Sequence, residues 1–437
     1  MNNLGLLKGA LCIALLSGGV RSYGQTVITL EEIFRSAETR SVQLRPSLTA
    51  REEAQREIGV ARNGRLPDVN VSLSLSYLGN GFTTERDLSD YRKAAIPHLG
   101  TGLSLDISQP VYTGGAVKSA IEIAELKSAA ARYAADFHRN DIRFRLAGFY
   151  LDIYKYINLR QVAQSNIDAA RKVLDQMQAR YAQGTALQND ITRYELLVSD
   201  LELQLVRINN TLDILNSHLV SLAGLPEDTI VLPDTTILAR SLAVDSEIRW
   251  QHQAEEHAPS LGLARQTVEI GRRREALVRS ERLPKIGLLA GWTLDGPILV
   301  EVPPINRNLS YWFVGVGVNF NLASLYKTGK SMALSRVSTR KAMEELAAEQ
   351  ERISLAIRAD YLRYLEACEE LKTRRKSLEL AERNYRTVLT RYSAEMALIT
   401  DMLDAANARI DAGQQLVNAR IDILYYYYKL LFTAGKI

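Results

Sequence analysis

Residues 391–401 read RYSAEMALITD and form a short break between two helical patterns that together span Asp360–Gly435. The same unit occurs earlier in the chain, from Phe149 to Gly224, and the two copies align without a gap at a spacing of 211 residues. Matching positions carry the same residues: Tyr150 with Tyr361, Leu151 with Leu362, Arg180-Tyr181 with Arg391-Tyr392, Ala186-Leu187 with Ala397-Leu398, Asp190 with Asp401, and Ala223-Gly224 with Ala434-Gly435. A helical hairpin that occurs twice predicts an internally duplicated fold.

Composition narrows the class of protein. The chain has 437 residues, of which 46% are hydrophobic, and a formal net charge of only +4. So small a charge on a chain of this length argues against a nucleic-acid-binding protein. No run of about 20 apolar residues follows the N-terminal segment, so no transmembrane helix is predicted.

Residues 1–24 have the pattern of a secretory signal peptide. Lys8 supplies the positive charge, an apolar stretch follows, and the small residues Ser22 and Gly24 precede a predicted cleavage site before Gln25. The mature chain would keep Cys368 as its one cysteine, which excludes an internal disulfide.

The predicted elements repeat in the order helix, strand, strand, long helix, helix. In the first repeat, Thr29 and Glu32 form a capping box that opens a helix running to about Asn63. A second such helix runs from about Asp245 to Arg282. The first repeat is predicted at 25–226, with strands at about 67–79 and 100–112 and a hairpin at 116–223. A connector follows at 227–244. The second repeat is predicted at 245–437, with strands at about 284–295 and 311–325 and a hairpin at 330–434.

The four predicted strands alternate apolar and polar residues, as membrane-spanning barrel strands do. We expect one face to meet lipid and the polar face, which carries Ser72, Ser74 and Asn319, to line a lumen. The predicted lipid-facing residues are Val71, Leu73, Leu75, Leu105, Trp292, Trp312, Val314, Val316 and Val318. A soluble antiparallel sheet with one face on the helices is the alternative. Because bacterial barrels start at eight strands, a barrel would have to be shared between chains, with eight strands from two copies or twelve from three.

With the duplication, the strand pairs and the segment Ile399–Ala405 in view, the mature chain resembles the TolC-type outer-membrane efflux family. The resemblance implies an α+β membrane protein, internally duplicated, whose four β-strands contribute to a shared transmembrane β-barrel and whose long α-helices form a periplasmic helical tunnel. It also implies a homotrimer in the outer membrane of a Gram-negative bacterium, in contact with outer-membrane lipid and extending into the periplasm. Its hairpin tips would meet a periplasmic adaptor (membrane fusion) protein of an inner-membrane pump.

By the same resemblance, Ile399–Ala405 corresponds to the family's gate segment, so Asp401 and Asp404 would line the closed tip. Their spacing of three residues places them on one helix face, and Asp190 holds the matching place in the first hairpin. Three copies would form carboxylate rings, a cation-selective constriction. The alternative is that both are solvated helix residues, with Asp401 stabilising the helix N-terminus.

The tips for adaptor contact would carry Arg180, Tyr181 and Gly184 in the first hairpin and Arg391, Tyr392 and Glu395 in the second. The chain departs from the family at two positions in the second tip. Glu395 stands where the family usually has glycine, and Ala397 stands where an arginine often latches the closed state.

No catalytic, cofactor or metal site is predicted, and the chain is not expected to be an enzyme. His252 and Glu256 have the spacing of a shared metal site, but a lone pair of this kind is more typical of a polar surface. The sequence therefore predicts an outer-membrane exit duct of a tripartite efflux or type I secretion system. It would passively export small molecules or proteins delivered by the pump. The alternative is a periplasmic helical scaffold or adaptor without a pore.

Overall fold

The computed structural model describes residues 25–234, 245–301 and 303–437, so the predicted signal peptide and most of the predicted connector lie outside the described residues. The elements in chain order are β1 (Gln25–Ile28), α1 (Leu30–Arg40), α2 (Arg45–Asn63), β2 (Asp68–Tyr77), β3 (Gly81–Thr83), β4 (Arg92–Ala94), β5 (Leu99–Tyr112), α3 (Ala116–Ala182), α4 (Gln188–Ala223), β6 (Ile230–Pro233), α5 (Glu247–His257), α6 (Pro259–Ser280), β7 (Lys285–Gly296), β8 (Leu309–Asn319), α7 (Ser324–Ser393) and α8 (Ile399–Thr433).

The helix that opens each repeat is broken, where the sequence predicted one continuous helix. The capping box at its start is confirmed: the Glu32 amide donates to Thr29 Oγ1 at 3.3 Å and the Thr29 amide to Glu32 Oε2 at 2.9 Å. The chain then leaves the helix after Arg40 and re-enters at Arg45, with Pro46 in the first turn of α2. A proline ring inside a continuous helix would clash with the carbonyl four residues before it.

Pro259 has the same effect in the second repeat. Ala258, which precedes it, is extended, with φ −63° and ψ 117°, and separates α5 from α6. This is the conformation that steric contact with a following proline favours. The prediction of one helix from Asp245 to Arg282 was therefore wrong, and Pro259 was the signal that should have divided it.

The two strand pairs join into one antiparallel sheet with the order β2-β5-β7-β8. Its middle contact, between β5 and β7, connects residues almost 200 positions apart, such as Leu105 and Trp292. Strands β2 and β8 are the two edges of this sheet. The fourth strand is shorter than the predicted 311–325, and the helix after it starts at Ser324 rather than at 330. Asn321 causes this early turn: its side-chain Oδ1 accepts the Ala323 amide at 3.1 Å, and its carbonyl accepts the Ser324 amide at 3.0 Å.

The described chain forms two compact units. One combines residues 25–40 with 149–234 and contains α4, the C-terminal part of α3, and the parallel pair β1–β6. Tyr150, 1% exposed, holds this pair together. Its hydroxyl donates to the Ile28 carbonyl at 3.0 Å and accepts the Asp234 amide at 2.6 Å. Burial raises the pKa of Tyr150 to about 12, so the hydroxyl keeps the proton that it donates.

The other unit combines residues 41–148 with 245–437 and contains the four-stranded sheet and the helices α5 to α8. Its core holds Trp250, Leu261, Ile353, Ile357 and Leu430, all buried. Gly262 allows α6 to approach α3, because a Cβ at this position would lie 2.5 Å from the Tyr133 ring. Within the described residues, none of the helices combines the length and the apolar character that a membrane crossing requires.

Candidate functional site: hairpin tips and amphipathic sheet

The two hairpin tips have the same backbone geometry. In the first, the Gly184 amide donates to the Tyr181 carbonyl at 2.9 Å and the Thr185 amide to the Arg180 carbonyl at 3.0 Å. In the second, the Glu395 amide donates to the Tyr392 carbonyl at 3.0 Å and the Met396 amide to the Arg391 carbonyl at 2.8 Å. This pair of bonds is the Schellman helix end, and in each tip the accepting carbonyls belong to the repeated Arg-Tyr pair.

A Schellman end needs a residue with left-handed backbone at its turn. Gly184 supplies it with φ +76°, and Glu395 supplies it with φ +63°. Glycine adopts this conformation without steric cost, whereas a residue with a Cβ does so at a cost of about 1–2 kcal/mol. The departure at Glu395 therefore leaves the turn intact and places strain in the second tip.

Of the three aspartates predicted for the gate, Asp190 and Asp401 lie in the first turns of the return helices, and Asp404 lies in the second turn of α8. Asp401 caps α8: its Oδ2 accepts the Leu398 amide at 3.1 Å. Asp401 and Asp404 are both exposed, and Asp190 is half-buried in the first turn of α4. The capping role fits the alternative interpretation of Asp401, but its exposed carboxylate stays available to solvent. The two tips belong to separate compact units.

Polar contacts connect the two helices of the second hairpin. The Arg374 guanidinium donates to Gln415 Oε1 at 2.7 Å, and Arg409 lies 4.1 Å above the Tyr385 ring centre. In the first hairpin, Arg171 and Glu202 approach to 2.6 Å across α3 and α4. Exposed pairs of this kind contribute little stability, so apolar packing holds each hairpin.

The register of the sheet places the predicted lipid-facing residues on a single face. One row across all four strands reads Val71, Leu105, Trp292 and Trp312. Residues of this face are widely exposed, with Val71 69% and Trp312 74% accessible. An apolar surface as large as this marks an interaction with lipid or protein.

The opposite face of the sheet is polar on β2 and β5, and β7 and β8 add the apolar residues Leu289 and Phe313 to it. One of its rows reads Ser72, Ser104, Thr293 and Tyr311, and the next includes Asn70 and Asp106. Asp106 accepts a hydrogen bond from Ser104 Oγ at 3.0 Å. Such a face, opposite to an exposed apolar one, is what a strand between lipid and water requires.

Sequence reasoning missed a buried acid at the end of the second hairpin. Asp360 is 4% exposed, and its Oδ2 accepts a hydrogen bond from Thr433 Oγ1 at 2.7 Å. Nothing in the local pattern of α7 identified this position as buried. By contrast, His252 and Glu256 are 3.7 Å apart and exposed, and no group of three metal-ligating side chains occurs among the residues that the structure describes.

Comparison with known proteins gives one consistent result. A family model described as "Outer membrane efflux protein" matches residues 33–225 and 250–435. TolC of Salmonella enteritidis is 22% identical over 424 residues, 93% of this chain and 82% of that protein. The proteases secretion protein PrtF of Dickeya chrysanthemi is 21% identical over 445 residues, 97% of this chain and 91% of that protein. The crystal structure of VceC from Vibrio cholerae superposes with a TM-score of 0.76 at 16% identity and covers 93% of this chain and 96% of that one.

Proposed function

Because the chain belongs to the outer membrane efflux protein family, we propose that three copies of it form one exit duct through the outer membrane. The chain is an outer-membrane protein of efflux and secretion systems. Relatives support this function by their names: PrtF is a proteases secretion protein, and OpmQ of Pseudomonas aeruginosa is a pyoverdine export outer membrane protein. The duct would receive its cargo from an inner-membrane pump through a periplasmic adaptor protein.

The amphipathic sheet is the observation that carries this proposal. Its edge strands β2 and β8 have unpaired outer edges in the single chain, and both are exposed along almost their whole length. Open edges of exposed strands invite pairing with another chain. If β8 of one copy pairs with β2 of the next, the contact is heterologous and generates a ring. Three copies would supply twelve strands, with the Val71 face toward lipid and the Ser72 face toward the lumen.

The second hairpin tip supports a gate. In a three-fold ring, the exposed Asp401 and Asp404 of each copy would gather around one axis. Carboxylate rings of this kind select and bind cations. Asp190 holds the matching sequence position in the first hairpin. The tips with Arg180, Tyr181, Gly184, Arg391, Tyr392 and Glu395 would meet the adaptor.

Mass measurement in detergent tests the assembly. We expect the chain to fractionate with the outer membrane and to give a native mass three times that of the chain. A scaffold without a pore would remain in the soluble periplasmic fraction. A stable monomer in mild detergent would contradict the shared barrel, because the four strands of one chain cannot close a barrel alone.

A further inference from the structure

Positive charge is concentrated at the end of the sheet where the strands join the helices. The segments that border β7 and β8 at this end, residues 279–285 and 319–330, contain five lysine or arginine residues and one acidic residue, Glu281. The loops at the opposite end, residues 78–98 and 297–308, contain four lysine or arginine residues and four acidic ones. The excess of positive charge is therefore confined to one end. Its basic residues are Arg279, Arg282, Lys285, Lys327 and Lys330.

Arg282 brings one of these charges onto the surface of α7. It lies in the turn between α6 and β7, and its Nη2 atom is 3.7 Å from the place where a Cβ on Gly329 would be. The side chain is half-buried, and its Nε is buried without a hydrogen-bond partner among the described residues. The guanidinium is therefore held against α7, and its other N–H groups remain available to an acceptor.

The first two turns of α7 add further groups around this guanidinium. Tyr326 and Lys330 are four residues apart and share the helix face that carries Gly329. Lys327 lies three residues before Lys330, which makes the two lysines neighbours on the helix surface. Both lysines are exposed, and Tyr326 is 74% exposed. Three cations and one phenol thus surround a single patch of surface.

The protein does not neutralise these charges. Within the part of the chain that the structure describes, Arg282, Lys327 and Lys330 form no ion pair. Earlier on α6 the situation differs, because Arg273 Nη1 lies 3.2 Å from a carboxylate oxygen of Glu122. The unbalanced cations at the end of the sheet therefore favour an anion from outside the chain.

The exposed apolar face of the sheet ends beside this patch. Val318 is the last residue of that face on β8, and Phe320 and Leu322 continue the alternation beyond the strand. Val318 and Leu322 are both 66% exposed. Tyrosine favours the boundary between lipid and water, which is the place of Tyr326 in this arrangement. Basic residues just beyond a lipid-facing surface are the pattern that binds lipid phosphates.

We propose that Arg282, Lys327 and Lys330 bind the phosphate of an anionic glycerophospholipid in the periplasmic leaflet of the outer membrane. The acyl chains lie along the apolar surface at Val318 and Leu322. The assignment to this leaflet rests on the proposed exit duct, which places the helical end of the sheet on the periplasmic side. Three unneutralised cations favour a headgroup with a net negative charge, such as phosphatidylglycerol, over zwitterionic phosphatidylcholine. Each cation near the surface contributes about fivefold in binding.

Lipid binding by the assembled full-length protein tests this site. Native mass spectrometry of the detergent-solubilised protein measures the Kd for added phosphatidylglycerol and for phosphatidylcholine with the same acyl chains. We expect phosphatidylglycerol to bind at least about fivefold more tightly, and the difference to shrink at higher ammonium acetate concentration, because salt screens exposed charges. Equal binding of the two lipids overturns the site.

Substitutions separate a local site from a general attraction. Lys330→Gln should weaken binding of phosphatidylglycerol about fivefold and leave binding of phosphatidylcholine unchanged. The matched control is Lys285→Gln, which removes the same charge at the same end of the sheet but from the polar face, where Lys285 lies opposite Asn319. We expect no change in this control. An equal loss in both variants overturns a local site.

Arg282 requires a second comparison because its side chain also packs on α7. Arg282→Lys keeps the positive charge and should retain the preference for phosphatidylglycerol, whereas Arg282→Gln should reduce it about fivefold. A native mass for each variant shows that assembly is unchanged. The same loss of preference in both variants would assign Arg282 to packing and overturn its role in binding phosphate.

Inorganic phosphate tests whether the ligand is a lipid or a free ion. At equal concentration it should leave phosphatidylglycerol bound, because it has no acyl chains for the apolar surface. Displacement of the lipid overturns the proposal in favour of an ion site. The exit duct and the lipid site can also fail separately. A trimer without lipid preference overturns the lipid site alone, and a monomer with this preference overturns the shared duct alone, because all three cations belong to one chain.

Discussion

Glu395 shows how one residue stores strain in a tip. It holds φ +63° in a turn whose counterpart uses Gly184 at +76°. We expect Glu395→Gly to stabilise the second tip by about 1 kcal/mol, since the left-handed conformation costs glycine nothing. Hydrogen exchange of residues 391–399 should slow about fivefold. Gly184→Glu is the matched control and should accelerate exchange in the first tip. Unchanged exchange in both variants would contradict a steric role for this position.

Asp360 destabilises the folded chain for a different reason, because its carboxyl group is buried. Burial raises the pKa of Asp360, opposed by the hydrogen bond from Thr433 and by the charges of Lys429 and Arg363. Because folding favours the protonated acid, this residue's contribution to stability falls as the pH rises from about 3.9, its ordinary pKa, through the raised value in the folded chain.

Replacement of this acid should therefore stabilise the protein at neutral pH. Asp360→Asn keeps an acceptor for Thr433 but removes the buried charge, so we expect a melting temperature higher by about a few degrees at pH 7 and little gain near pH 3. Thr433→Val, which removes the donor and leaves the acid, should lower the melting temperature at pH 7. An equal effect of Asp360→Asn at both pH values would show that ionisation is not the cause.

At the scale of the element, we expect the two faces of the sheet to differ in how well they tolerate a charged side chain. Val316 lies on the apolar face and Asn319 on the polar face of the same strand, β8. We expect Val316→Lys to cost about 2–4 kcal/mol if that face meets lipid, and Asn319→Lys to cost far less. The measurement is the amount of assembled protein in the outer membrane at equal expression. Similar assembly of the two variants would reject a lipid-facing role for the Val316 face.

At the scale of the whole molecule, the proposed gate would require several copies of the chain, because each copy contributes only part of the carboxylate ring. We expect Asp401→Asn with Asp404→Asn to assemble normally, because asparagine still offers Leu398 an acceptor oxygen, but to lose block by divalent cations in planar bilayers. The preference of the channel for cations over anions should fall by up to about tenfold, because the double variant removes six carboxylate charges from the three copies. Asp190→Asn is the control in the first hairpin, and a smaller effect is expected there. A double variant that is blocked like the wild type would place the gate elsewhere.

The sequence by itself determined the local structure of this protein. The duplication at 211 residues predicted two equal hairpins, and both return helices begin at matching positions, Gln188 and Ile399. Alternation predicted the four strands, and Thr29 with Glu32 predicted the first cap. These features depend on residues a few positions apart, where backbone sterics and side-chain periodicity act directly. Pro46 and Pro259 belong to the same class, since the breaks that they cause were readable from sequence.

Only the tertiary structure decided which distant segments meet. The pairing of β5 with β7, the parallel pair β1–β6 and the burial of Asp360 each join residues far apart in the chain. Equal sequence patterns also acquire unequal environments: Leu151 is buried and its counterpart Leu362 is exposed, although both are leucines in the same repeat position. The physical reason is that burial depends on which surface covers a residue. A periodic pattern predicts an apolar helix face but does not predict which element packs against it.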